Sequence, residues 1–246
     1  RRNVPELEEL ARQLAAAHPQ LTCIAQNING RPGNAILGHE TRPLWGSACM
    51  RDELLGCTFE ISPTAFYQTN PQQTEVLYRK AAEFAGLTGD ETVVDLYCGT
   101  GTIGLVAAKR GARQVIGVDT VASAVRDARE NAKHNGVENA RFAVGDAGAF
   151  MRERAAAGDA VDVLLMDPPR AGSSEEFLAA AVTLAPRRIV YISCNPTTQV
   201  RDLAFLRQRG YAVRTVQPVD MFPHTDHIET IALVERVEGF FERSDR

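Results

Sequence analysis

The chain has 246 residues, and its 27 basic and 31 acidic side chains give a formal charge of −4. Its 44% hydrophobic and 24% charged residues are ordinary for a globular protein, which excludes disordered and collagen-like chains. No apolar run reaches the roughly 18 residues of a membrane span, the first residues are not a signal peptide, and the acidic balance argues against non-specific coating of nucleic acid.

The first part of the chain predicts one helix followed by β-hairpins. Leucines recur at helical spacing over residues 5–18, with charged residues between them. Short apolar runs broken by turn residues follow at residues 21–28, 35–37, 44–50 and 57–61. We place a domain boundary within residues 62–70. Residues 1–65 are then a small, mainly antiparallel β subdomain, and residues 66–246 are a larger domain.

From residue 71 onward, helical patterns alternate with short apolar runs. Helices are predicted over residues 71–85, 103–110, 123–135, 175–184 and 197–209. Strands are predicted over residues 92–96, 114–118, 140–144, 161–166, 188–193, 211–218 and 229–234. Alternation of this kind is typical of a parallel sheet covered by helices on both faces. The larger domain is therefore predicted to have an α/β fold.

A glycine-rich turn follows the first strand of this domain. Gly99, Gly101 and Gly104 fit the spacing G-x-G-x-x-G and precede a helix, an arrangement that lets a ligand approach the backbone closely. The alternative is a strand–helix turn that needs glycine only for its own conformation. Asp119 ends the next strand, about 20 residues further on, where a carboxylate accepts hydrogen bonds from ribose hydroxyls.

Two ligand classes use such a turn: NAD-type dinucleotides and S-adenosylmethionine (SAM). Asp95 within the first strand and Asp146 after the third strand favour SAM, because carboxylates attract its sulfonium cation. A pyrophosphate, in contrast, is bound by bare amides at a helix N-terminus. For Asp146 the alternative is an N-cap of the helix that follows it.

The next two strands end in residues that can carry chemistry. Asp167 is followed by two prolines and Arg170, which indicates a rigid turn with the carboxylate at the strand tip. Arg170 fits either a phosphate or a surface ion pair. Cys194 follows its strand and precedes a helix, whose N-terminus is expected to favour the nucleophilic thiolate. A packing role is the alternative for this cysteine, as it is for the other four.

A polar turn before the last strand ends at Glu229, which is a candidate general base. His224 and His227 in the same turn are possible metal ligands, but no third ligand is evident, so no metal is predicted. Five cysteines with no C-x-x-C pair argue against a disulfide framework and against a zinc site. They favour a reducing compartment, and we expect the cytoplasm.

Five motifs in fixed order resemble those of the SAM-dependent RNA uracil-5-methyltransferases, and most of all those of the bacterial 23S ribosomal RNA branch. They are Phe66–Asn70 (FYQTN), Asp95–Gly101 (DLYCGTG), Asp167–Arg170 (DPPR), Ser193–Pro196 (SCNP) and Pro223–Glu229 (PHTDHIE). The likeness extends over residues 20–235. Members of this family often carry an N-terminal RNA-binding domain, and some carry an iron–sulfur site. The chain is expected to begin within the family's central β domain, which faces RNA.

The resemblance implies a Rossmann-like methyltransferase fold and a role for each matching residue. Cys194 is then the nucleophile that adds to C6 of uracil, and Glu229 is the base. The remaining residues, which match positions that bind SAM or orient the uracil, are Gln68, Tyr97, Asp119 and Asp167, with Gly99 in the cofactor turn and Asp146 as an adenine-side contact. Thr102 stands where some members bind SAM through Asn, which leaves its role open.

The expected partner is RNA with a flipped-out target uridine, because C5 and C6 are stacked inside RNA. Thr69 favours 23S ribosomal RNA, since the transfer RNA branch has a different residue there. Three alternatives stay open: a SAM enzyme that methylates an amino group, an NAD-dependent oxidoreductase, and an RNA-binding module without activity. The oligomeric state is not predicted.

Overall fold

The computed structural model describes residues 4, 6–30, 36–38, 40–47 and 49–239. The helices are α1 (Glu6–Ala17), α2 (Pro71–Ala85), α3 (Thr102–Lys109), α4 (Ala122–His134), α5 (Ala147–Ala157), α6 (Glu175–Leu184) and α7 (Pro196–Arg207). The strands are β1 (Cys23–Ile28), β2 (Glu40–Gly46), β3 (Met50–Leu54), β4 (Cys57–Ile61), β5 (Thr92–Leu96), β6 (Gln114–Asp119), β7 (Ala140–Val144), β8 (Val163–Met166), β9 (Arg188–Ser193), β10 (Tyr211–Val219) and β11 (Glu229–Arg236).

Seven of these strands form one central sheet in the order β10-β11-β9-β8-β5-β6-β7. Strands β5 to β9 are parallel, which confirms the predicted α/β fold. The prediction of a parallel sheet is wrong for β11, which runs antiparallel to both of its neighbours, β9 and β10. The reason is the short turn between β10 and β11. It contains no helix, and a parallel connection needs a longer crossover.

The chain order reverses between β5 and β8 in the middle of this sheet. From β5 the chain builds outward through β6 and β7, then returns to place β8 on the other side of β5. Ligands in open α/β sheets bind outside the carboxyl ends of the strands at such a reversal. The glycine turn follows β5, and Asp167 follows β8, so both lie at this point.

The core lies on both faces of the central sheet because successive strand residues point to opposite sides. Val93 packs with α2, α3 and the β3–β4 hairpin, whereas Val94 packs with α5 and α6. Burial of each such side chain stabilises the fold by about 2 kcal/mol. Among the described residues, no helix combines the length and the apolar character needed to cross a membrane.

The N-terminal part contains two small antiparallel sheets, β1–β2 and β3–β4. The predicted strand at residues 35–37 is wrong where the structure describes it: Ile36 and Leu37 lie in a bend, and residue 35 is outside the described residues. β1 pairs instead with Glu40–Gly46. Phe59 of β4 shares the core of α2 and α3, and the domain boundary after residue 65 stays a prediction.

Candidate active site

The glycine turn after β5 has a left-handed backbone at several positions, including Tyr97 (φ 64°), Gly99 (φ 53°) and Gly101 (φ 83°). The glycines differ in what surrounds them. A Cβ on Gly101 would lie 3.0 Å from Ala128 Cβ, and one on Gly104 would lie 2.7 Å from Asp95 Oδ2, so packing requires glycine at both. A Cβ on Gly99 would meet nothing within 4 Å. A ligand can therefore approach the turn at Gly99.

Asp119 lies at the tip of β6 beside this turn. Its Oδ2 accepts a hydrogen bond from the Gly99 N–H at 2.9 Å, and its Oδ1 accepts one from the Val121 N–H at 2.8 Å. The carboxylate is half-buried, and each oxygen keeps a lone pair for a hydroxyl donor. The structure thus brings Asp119 and Gly99 together, and a ribose contact of Asp119 stays a prediction.

Asp146 is exposed and caps α5, because its Oδ1 accepts the Ala149 N–H at 2.8 Å. The N-cap interpretation is therefore confirmed, and a cofactor contact through the second oxygen stays a prediction. Tyr97 lies nearby: burial, and then the Asp146 carboxylate, raise the pKa of its hydroxyl. The Tyr97 ring packs against Phe177 with their centroids 6.0 Å apart.

Register in the sheet places Cys194 beside Glu229. Ser193 at the end of β9 pairs with Thr230 of β11, so the next residues outward, Cys194 and Glu229, are opposite each other. Cys194 is half-buried, whereas Glu229 is only 5% exposed. Within the described residues, the Glu229 carboxyl group has no hydrogen-bond partner. A largely buried carboxyl group beside a thiol is typical of a catalytic site.

Asp167 joins these two residues at the tip of β8. Burial, and then the charges of Glu229 and Asp95, raise the pKa of Asp167 to about 8. Burial also raises the pKa of Glu229. Asp95 is 1% exposed, and burial and Asp119 raise its pKa to about 7 although it accepts the Gly104 N–H at 2.9 Å. The site therefore holds carboxyl groups that take up protons near neutral pH.

The sequence predicts that the helix N-terminus favours the Cys194 thiolate. This prediction is wrong, because the pKa of the Cys194 thiol is raised and not lowered. Burial, Glu229 and Asp167 together raise the pKa of Cys194. Only Arg170 and the residue's own backbone N–H act in the opposite direction. Cys194 precedes Asn195, the N-cap of α7, and at this position burial and the two acidic neighbours favour the neutral thiol.

Arg170 is held next to the thiol through its backbone. Its carbonyl accepts hydrogen bonds from Asn195 Nδ2 at 3.1 Å and from Thr198 Oγ1 at 3.2 Å, while its side chain is exposed. Sequence reasoning missed a second contact between this loop and α7. The fully buried Asp202 accepts the Ser173 N–H at 2.8 Å and the Tyr191 hydroxyl at 2.7 Å. No local pattern signals that contact.

Gln68 lies in the segment between β4 and α2 and is 6% exposed. Its amide group has no hydrogen-bond partner in the part of the chain that the structure describes. Asn70 fastens this segment to the turn that leads to Glu229, since its Nδ2 donates to the Met221 carbonyl at 3.0 Å. Within the described residues, the Gln68 amide is therefore free to bond a polar ligand.

Other residues singled out in the sequence have local roles. The Thr102 hydroxyl donates to Tyr78 Oη at 3.3 Å within the core, and Cys98 is buried. His224 and His227 are exposed in the turn before β11. Over the described ranges, no group of three or more His, Cys, Asp or Glu side chains is placed to hold a metal ion.

Comparison with known proteins places the chain in a family. The family model described as tRNA (Uracil-5-)-methyltransferase matches residues 55–237. A Halalkalibacterium halodurans protein named as an uncharacterized RNA methyltransferase is 47% identical over 232 residues, which are 94% of this chain and 50% of that protein. One from Lactiplantibacillus plantarum is 46% identical over 236 residues, 96% of this chain and 51% of that protein. The chain thus spans about half the length of these relatives.

Solved structures agree with this placement. The tRNA (uracil-54, C5)-methyltransferase of Pyrococcus abyssi, in complex with S-adenosyl-L-homocysteine, has a TM-score of 0.74 and 31% identity, covering 89% of this chain and 52% of that one. A SAM-dependent methyltransferase of Agrobacterium tumefaciens has a TM-score of 0.61 and 20% identity, covering 89% of this chain and 79% of that one. This likeness supports the fold alone. The predicted methyltransferase fold and the SAM cofactor are confirmed. The chain belongs to the RNA uracil-5-methyltransferase family.

Proposed function

We propose that this chain transfers a methyl group from SAM to C5 of a uridine in RNA, through a covalent bond between Cys194 and C6 of the uracil. One observation carries the proposal: a free thiol and a buried, unpaired carboxyl group lie side by side at the sheet edge that also presents the glycine turn. Amino-group methylation and hydride transfer have no use for that thiol.

The residues around the glycine turn fit SAM. The open space at Gly99 leaves room for the ligand, and the Asp119 carboxylate beside it is the proposed acceptor for ribose hydroxyls. Tyr97 and Asp146 are the proposed contacts on the adenosine side, and the Asp119 and Asp146 carboxylates favour a cation. When bound, SAM supplies an electrophilic methyl group on a positively charged sulfur.

The Cys194 thiolate makes C5 nucleophilic. Its sulfur bonds to C6, and the electrons of the C5–C6 double bond move into an enolate over C5, C4 and O4. C5 takes the methyl group as the bond from that group to the SAM sulfur breaks, which leaves S-adenosylhomocysteine, and C5 still carries its proton. Glu229 removes that proton, the electron pair of the C5–H bond restores the C5–C6 double bond, and the S–C6 bond breaks with its electrons moving to sulfur. The thiolate is thereby regenerated, and no metal is required.

Gln68 and Asp167 are proposed to hold the uracil during this reaction. The unpaired amide of Gln68 offers both a donor and an acceptor, which matches the N3–H and carbonyl pattern of the uracil edge. Since its pKa is raised to about 8, Asp167 is protonated at neutral pH and can donate a hydrogen bond to O4. Charge develops on that oxygen in the enolate, so the contact stabilises it.

Two classes of RNA, 23S ribosomal RNA and transfer RNA, fit this proposal as substrates. Thr69 favours 23S ribosomal RNA by resemblance, whereas the family model and the Pyrococcus abyssi enzyme are named for transfer RNA. Both are candidates. Methylated uridines should be mapped by mass spectrometry in both RNAs from cells with and without the full-length protein. Loss of 5-methyluridine from one RNA is expected. Loss of an N-linked methyl group instead would contradict the proposal.

A further inference from the structure

A row of side chains on α4 and at its C-cap forms hydrogen bonds with the backbone of β4, along the edge that faces away from β3. Positions 127, 131 and 135 are four residues apart and so lie on one helix face. Each of the three side chains accepts a hydrogen bond from a backbone amide of an alternate residue in or just after β4. We call this row the amide ladder, and its pairs are Asp127 with Ser62, Asn131 with Glu60, and Asn135 with Thr58. The ladder takes the place of a neighbouring strand.

Asn131 and Asn135 each exchange two hydrogen bonds with one β4 residue, as paired residues do in an antiparallel sheet. Asn131 Oδ1 accepts the Glu60 N–H at 2.7 Å, and its Nδ2 donates to the Glu60 carbonyl at 3.1 Å. Asn135 does the same with Thr58, at 2.9 Å and 2.6 Å. The two asparagines are therefore matched in their contacts with β4.

The second hydrogen on each amide nitrogen distinguishes them. Asn131 Nδ2 also donates to the Thr100 carbonyl at 3.2 Å, inside the glycine turn, and Asn131 is 0% exposed. Asn135 Nδ2 donates instead to the carbonyl of Asn131 within its own helix. Of the two asparagines, Asn131 alone joins the glycine turn to β4, and β4 leads directly into the segment that carries Gln68.

We propose that Asn131 is a positioning residue that couples the SAM-binding turn to the uracil-binding segment, so that occupation of one site orders the other. This inference rests on the proposed function, since it takes SAM to bind at Gly99 and uracil at Gln68. Thermodynamic linkage makes such coupling reciprocal. Because the Asn131 amide bonds both residues, a ligand that steadies Thr100 is expected to steady Glu60 as well.

The test uses S-adenosylhomocysteine and amide hydrogen exchange in the unaltered chain, followed residue by residue by NMR. Saturating ligand is expected to slow exchange at Gly99 and to slow it at Glu60 by about fivefold or more, the lower end of typical site couplings. Protection of Gly99 without Glu60 overturns the coupling and leaves the proposed SAM site intact. Protection of neither amide overturns both.

Two matched variants complete the test. Asn131→Asp and Asn135→Asp each keep the acceptor for a β4 N–H and lose both donors, so both weaken the ladder. They differ in that Asn135 is half-buried and its Oδ1 also accepts from Lys109 Nζ at 3.4 Å, so the unfolding free energy of each variant is measured as well. We expect Asn131→Asp to raise the dissociation constant of S-adenosylhomocysteine by about fivefold or more and to abolish protection of Glu60. Asn135→Asp should leave both nearly unchanged. Equal effects of the two variants overturn the inference, and the exchange experiment on the unaltered chain decides alone if Asn131→Asp does not fold.

Discussion

At the scale of single residues, the Cys194 sulfur is assigned the bond to C6 of uracil. We predict that Cys194→Ala lowers methyl transfer by more than about a thousandfold, because no other described group can make C5 nucleophilic. The affinity for S-adenosylhomocysteine, measured by calorimetry, should be unchanged, since the thiol has no part in cofactor binding. Substantial turnover by this variant would contradict the nucleophile assignment.

Arg170 is the charged side chain that opposes the acidic surroundings of the thiol. We predict that Arg170→Gln raises the pKa of Cys194 further, so that single-turnover methyl transfer requires a higher pH than in the unaltered protein. Arg170→Lys keeps the positive charge and should restore most of the profile. A rate–pH profile that is the same in the glutamine variant would show that Arg170 does not act on the thiol.

The sequence predicts which residues are candidates for the site better than it predicts their protonation. Motifs and strand ends singled out Cys194, Glu229 and Asp167, but not the net direction of the thiol pKa. That direction depends on two carboxyl groups that only the assembled sheet brings beside the sulfur. The role of Asn131 could not be predicted either, because its partner Glu60 is 71 residues away in the chain.

At the scale of elements, Asp146 caps the first turn of α5 and is also a proposed contact for adenosine, and two substitutions distinguish these roles. The side chain caps the helix through Oδ1. We predict that Asp146→Ala lowers the free energy of unfolding by about 1 kcal/mol, whereas Asp146→Asn keeps the cap and changes it little. If Asp146 also contacts the adenosine, Asp146→Asn should weaken cofactor binding at unchanged stability. Denaturant unfolding and calorimetry on both variants measure the two effects separately.

Predicted elements agree with the structure best where apolar residues recur at a regular spacing and the element packs against the hydrophobic core. The bounds of α2, β5, β7, α6 and β9 match their predictions at both ends. The predicted strand at residues 35–37 failed because a short apolar run carries no information about its partner. The antiparallel direction of β11 also escaped prediction, since strand direction follows from the connection and not from the strand's own residues.

At the scale of the whole molecule, the buried acids link stability to pH. The pKa of Asp95 is raised to about 7 and that of Asp167 to about 8, so the folded chain binds more protons than the unfolded chain above about pH 4. Their contribution to stability is complete below that pH and is lost as the pH rises through the raised values. We predict a free energy of unfolding that falls between about pH 5 and about pH 9.

Denaturant unfolding across this pH range tests the prediction, with Asp167→Asn as the matched variant. Because the amide does not titrate, the variant should show a shallower loss of stability with rising pH. The same slope in both proteins would show that Asp167 is not the group responsible.

The central claim is that one thiol bonds to the uracil and one carboxyl group releases it. Glu229→Gln cannot take the C5 proton, so the S–C6 bond should persist after methyl transfer. Labelled RNA, SAM and this variant should therefore give a protein–RNA band on a denaturing gel. Peptide mapping should place the bond at Cys194, and Cys194→Ala/Glu229→Gln should give no such band. Normal turnover without an adduct in Glu229→Gln, or an adduct that survives loss of Cys194, would contradict the account.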